Sequence, residues 1–97
     1  MVRALVIDDE LDICMMVTKH LQNARFDTDY AHTVKDAFAK LTASKYELVM
    51  LDLNLPDGTG YDVMSFLKDS DSQPSIIVIS AYDNEVSNIM DKGAVCL

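Results

Sequence analysis

Apolar positions in this chain gather in short runs, from Ala4 to Ile7, Phe26 to Ala31, Leu48 to Leu51 and Ile76 to Ile79. Each run has the length of a β-strand. Between the first two, Leu11, Cys14, Met15, Thr18 and Leu21 recur at three- and four-residue intervals, and Ile13, Met16 and Val17 widen the stripe, which predicts a helix covered along one side. Thr33 is placed to cap a second helix, with Asp36 three residues on and a stripe of Val34, Ala37, Phe38 and Leu41. Val63, Met64 and Leu67 mark a third helix, the stretch from Asp69 to Pro74 reads as a polar turn, and Val86, Ile89 and Met90 mark a last helix ending at Gly93. Strands apolar on consecutive positions are expected to be buried on both faces. Their alternation with helices predicts right-handed crossovers and a doubly wound parallel sheet of the α/β class.

Composition narrows the functions available. A chain of 97 residues, 49% apolar and 25% charged, fits one globular domain spanning 1–97. Eight Lys and Arg against sixteen Asp and Glu leave a net charge of −8, so duplex nucleic acid is repelled, no direct nucleic-acid binding is expected, and any output domain belongs past residue 97. The apolar runs are too short for a spanning helix or a secretory signal, which gives the expectation of a cytoplasmic protein with no membrane partner. Cys14 and Cys96 lack zinc or redox spacing and read as reduced, small core hydrophobes.

Ligands of an open parallel sheet bind beyond the carboxyl ends of its strands. The first run ends in Asp8 and Asp9 with Glu10 following, the third in Asp52, and the fourth in Ser80. Two carboxylates ~5 Å apart at an effective dielectric of ~20 repel by roughly 3 kcal/mol, so such a cluster calls for a counter-ion. Oxygen ligands without His or Cys point to Mg2+ or Mn2+ and not to zinc. After Asp52, Pro56 presets φ while Gly58 and Gly60 allow a tight path into the next helix. Taken singly, these residues have plainer readings. Asp8 and Asp9 could favour a helix N-terminus, Asp52 could be a turn residue, and Ser80 could simply end a strand. Met15, Met16, Met50, Met64 and Met90 read as core filling. His20 and His32 read as exposed residues away from the strand-end edge.

The segments Val6 to Glu10, Leu51 to Gly60, Ile79 to Ala81 and Lys92 to Ala94, in this order and spacing, resemble the receiver domains of two-component response regulators, and the resemblance runs from Arg3 to Leu97. It implies a flavodoxin-like strand order, 2-1-3-4-5. It also implies that Asp52 accepts a phosphoryl group from a sensor histidine kinase or phosphotransfer protein. Asp9 and Asp52 would bind Mg2+ directly, Asp8 through water, and Asn54 through its backbone carbonyl. The Ser80 hydroxyl and the Ala81 backbone amide would meet the phosphoryl oxygens, Tyr82 would modulate water attack, and Leu97 would stand where the family commonly has Tyr or Phe.

The chain departs from that pattern at its end. The lysine that pairs with the phosphoryl group in receivers would lie three residues past Leu97, so the catalytic lysine is absent, and Lys92 belongs at the opposite edge of the sheet. A receiver truncated at strand five and lacking the fifth helix is therefore expected, with bare apolar area beside the first helix that a homodimer could cover. The implied function is a phosphorylation-dependent switch and not an enzyme. The alternative is a degenerate receiver acting unphosphorylated in protein interaction or dimerisation. An aspartyl phosphatase would want an acid where Asn54 stands, and Asp8, Asp9 and Glu10 would repel a flavin phosphate.

Overall fold

The computed structural model describes residues 2–70, 73–80 and 95–96. In chain order the elements are β1 (Arg3–Ile7), α1 (Leu11–Asn23), β2 (Asp27–Ala31), α2 (Val34–Ala43), β3 (Leu48–Asp52), the two-residue strands β4 (Asn54–Leu55) and β5 (Gly58–Thr59), α3 (Gly60–Lys68), β6 (Ser75–Ser80) and β7 (Val95–Cys96). Five strands form one parallel sheet in the order β2-β1-β3-β6-β7. Without the small β4–β5 hairpin this is the 2-1-3-4-5 order. The helix expected over Val86 to Met90 lies outside the described residues.

Pleating divides the apolar runs between two cores. Leu5, Ile7, Val49, Leu51 and Val78 point to the face covered by α2 and α3, where they meet Val34, Ala37, Val63, Met64 and Leu67. Val6 and Met50 point the other way, to Cys14 on α1, with Val17, Leu21 and Ile77 packed alongside. Burial on both faces thus holds for β1 and β3. It fails for β2, whose Asp27 and Tyr30 are exposed, because β2 is an edge strand with the polar sequence of Asp27 to Asp29. Arg3 secures this edge through ion pairs to Asp27 and Asp29, at 3.1 and 3.0 Å, and the Tyr46 hydroxyl donates to Asp29 at 2.6 Å.

Helix α1 is more exposed than its apolar stripe predicts. Met15 is 71% exposed and Met16 55%, so neither fills a core, and Leu11 and Ile13 are exposed as well. Only the stripe of Cys14, Val17 and Leu21 meets the sheet, because among the described residues no second helix packs on this face. Met50 and Met64 are buried as expected, and Met90 lies outside the described residues. Cys14 is buried and free, and burial raises its thiol pKa, which suits an inert core residue. The side chain of Cys96 lies outside what is described.

Helix ends follow local chemistry. The Thr33 hydroxyl accepts from the Asp36 amide at 3.0 Å, as expected of an N-cap. Thr59 and Asp62 form a capping box at the start of α3. Helix α1 stops at a left-handed Arg25, φ 68°, where the amides of Arg25 and Phe26 return to the carbonyls of Gln22 and Leu21.

Candidate metal centre

Strands β1, β3 and β6 lie side by side and run in the same direction, so their carboxyl ends form one rim. Asp8 and Asp9 leave the end of β1, and Asp52 is the last residue of β3. One carboxylate oxygen from each of Asp8, Asp9 and Asp52 lies within 4.8 Å of the others. Asp8 is 1% exposed and Asp52 6%, whereas Asp9 is open to solvent. The ion pairs among the described residues join Arg3 to Asp27 and Asp29, and none reaches this trio.

Such crowding appears in the chemistry of Asp8. Its carboxyl is pushed up to about 6, first by burial and then by the Asp52 and Asp9 carboxylates, against the pull of the Glu10 amide, which donates to Asp8 at 2.9 Å. A like-charged, mostly buried oxygen cluster with no basic partner among the described residues suits a hard divalent cation. Asp8 makes no side-chain cap for α1. The N-cap position is Glu10, no side chain caps it, and Asp8 binds the Glu10 amide instead of a first-turn amide of the helix.

Asp52 is oriented by its own loop. The register of β3 against β6 shifts between Leu51 and Asp52, which sets Asp52 opposite Ser80 at the strand ends. The Asn54 amide donates to one Asp52 carboxylate oxygen at 3.1 Å, fixing the rotation of that group. The hairpin formed by Asn54 and Leu55 with Gly58 and Thr59 closes beside it, and the Gly60 amide returns to the Leu53 carbonyl at 2.9 Å. A Cβ at Gly60 would stand 2.7 Å from the Asp52 carbonyl oxygen, and one at Gly58 would stand 3.1 Å from a Val34 methyl. Close approach is therefore what these positions require. A residue that sequence reasoning set aside also belongs to the rim. The His32 Nδ1 lies 2.9 Å from the Asp8 carbonyl oxygen, one residue past the end of β2. Ala81, Tyr82, Lys92 and Leu97 lie outside the described residues, as does the Ser80 side chain.

The response regulator receiver domain model matches residues 4–96. This chain is a member of that family. Membership makes it a signalling module of two-component systems, in which phosphorylation-dependent switching is the general function. The receiver is 34% identical over 80 residues to the response regulator protein PilR of Pseudomonas aeruginosa, a match covering 82% of this chain and 18% of PilR. It is 30% identical over 87 residues to the regulatory protein VanR of Enterococcus faecium, covering 90% of this chain and 37% of VanR. It thus spans well under half the length of these relatives. Among solved structures, the response regulator TrrA of Thermotoga maritima in complex with Mg2+-BeF aligns with a TM-score of 0.87 at 29% identity, over 99% of this chain and 84% of that one. No helix among the described residues is long and apolar enough to cross a membrane.

Proposed function

We propose that this receiver accepts a phosphoryl group on Asp52 from the phosphohistidine of a sensor histidine kinase or phosphotransfer protein, in a cytoplasmic signalling pathway. The observation that carries this reading is the gathering of Asp8, Asp9 and Asp52 within 4.8 Å at one rim, with Asp52 held rotationally by the Asn54 amide. Asp8, Asp9, Asp52 and the Asn54 backbone carbonyl would hold Mg2+, or Mn2+. The bound ion would neutralise the carboxylates and the oxygens of the incoming phosphoryl group.

In the transfer an Asp52 carboxylate oxygen attacks phosphorus, the P–N bond to histidine breaks, and the imidazole leaves with the electron pair and takes up a proton. Ser80 pairs with Asp52 at the end of β6 in the strand register. Its hydroxyl and the Ala81 amide would donate to the phosphoryl oxygens, Tyr82 would slow water attack on the acyl phosphate, and Leu97 would take the place of the family's aromatic ring. The switch is a population shift. The phosphoryl group binds one arrangement of the segment after β6 more tightly than the other.

The test is the intact mass of the protein after incubation with Mg2+ and acetyl phosphate. A gain of one phosphoryl group, lost in Asp52→Asn and in excess chelator, is the expected result. An unchanged mass favours the module that works without phosphorylation, and a gain that survives Asp52→Asn removes Asp52 as the acceptor.

A further inference from the structure

The tip of the β4–β5 hairpin is fastened to a helix that is remote in sequence. One Asp57 carboxylate oxygen accepts from the Val34 amide at 2.7 Å and the other from the Lys35 amide at 3.0 Å. These are the first two residues of α2, whose amides have no partner within the helix. The helix already has its own cap, since the Thr33 hydroxyl takes the Asp36 amide. Asp57 therefore adds a tertiary tie to a helix start that is capped locally.

The hairpin it fastens leads straight to the acidic cluster. Asn54, at the hairpin's base, pairs with Thr59 and donates its amide to the Asp52 carboxylate. Gly58 sits so close to α2 that a Cβ would press on Val34, so the hairpin and the helix start are in direct contact. A ladder of two residues on each side has little stability of its own, and here it is held at its outer end by the Asp57 carboxylate. That carboxylate is exposed, yet the Val34 amide and then the Lys35 amide hold its pKa below the usual carboxylate range, so the tie is charged at neutral pH.

We infer that Asp57 is a positioning residue for the acidic rim: by anchoring the hairpin on the first two amides of α2, it fixes Asn54 and the rotation of Asp52 before a cation arrives, and it couples α2 to the occupancy of the site. The inference rests on the proposed role of Asp8, Asp9 and Asp52 as a cation site. It assigns Asp57 no contact with the ion. A flexible hairpin would have to be ordered at the moment of binding, and that cost would appear as weaker affinity.

Proton–nitrogen correlation spectra recorded during a MgCl2 titration test this on the parent protein, Asp57→Ala, Asp57→Asn and Thr33→Ala. In the parent, the Val34 and Lys35 amide resonances are expected to move with that of Asn54 at a common midpoint. In Asp57→Ala the midpoint is expected to rise roughly tenfold, the low end of what orienting groups around a metal contribute, and the α2 amides to stop responding. Asp57→Asn keeps one carbonyl acceptor and is expected to fall between the two. Thr33→Ala weakens the same helix start without touching the hairpin and is expected to leave the midpoint near the parent's. An unchanged midpoint in Asp57→Ala, or an equal rise in Thr33→Ala, overturns the inference. Should Asp57→Ala not fold, a parental midpoint in Asp57→Asn overturns it as well. If Mg2+ moves no resonance in the parent, or moves them equally in Asp52→Asn, the cation-site reading itself fails, which is a different result.

Discussion

Asp8 is almost fully buried beside two other carboxylates. Its carboxyl ionises near 3.8 in an ordinary setting and near 6 here, first because burial disfavours the charge. Between those values the unfolded chain has lost a proton that the folded chain keeps. The stabilisation from the protonated group is therefore complete below about pH 4 and is lost as pH rises through about 6. In chelator, Asp8→Asn is expected to gain roughly 2 to 3 kcal/mol on the parent between pH 4 and 7. Paired denaturation curves at several pH values check this, and a constant difference would contradict it. Gly60 makes a steric counterpart. Gly60→Ala drives a methyl into the Asp52 carbonyl oxygen and should destabilise by roughly 2 kcal/mol or more, read as a lower denaturation midpoint with unchanged slope.

The residues legible in sequence share a feature: Asp8, Asp9 and Asp52 directly end apolar runs, so the rule for parallel sheets placed them together. Asp57 and His32 were not found because their partners are backbone groups of distant residues, Val34 and Lys35 in one case and Asp8 in the other. Such bonds leave no spacing pattern. His32 did offer a signal, since it follows Ala31 at the end of the second run.

At the level of elements, strands and helices were legible wherever a run was long enough to show a period. The β4–β5 hairpin was not, because two-residue strands fall below any periodicity and the Pro and Gly residues around them read as loop. Strand β2 and helix α1 misled for another reason. Apolar content predicts burial only when something lies opposite, and β2 lies at the sheet edge while α1 meets the sheet along a narrow stripe. The end of α1 carries a local conflict. Arg25 adopts a left-handed conformation that glycine takes without steric strain. Arg25→Gly is expected to stabilise by about 0.5 to 1 kcal/mol, visible as a raised thermal midpoint. A lowered midpoint would mean that the Arg25 side chain contributes more than its backbone strain costs.

For the whole molecule, the sheet order brings positions from β1, β3 and β6 to one rim although they lie more than seventy residues apart in sequence, from Asp8 to Ser80. The same parallel order puts the Arg3, Asp27, Asp29 and Tyr46 cluster at the opposite end of the strands, where it secures the edge without touching the chemistry. Acidic rim and structural clamp are thus separated by the length of a strand, and the rim gathers carboxylates whose charge a bound cation would offset. In the proposed switch the rim holds a divalent cation and Asp52 takes the phosphoryl group. Fluorine NMR of the protein with beryllofluoride, a phosphoryl mimic, tests both at once. A bound fluorine signal is predicted that needs Mg2+ and disappears in Asp52→Asn, while a signal indifferent to either change, or none from the parent under saturating conditions, would contradict the account.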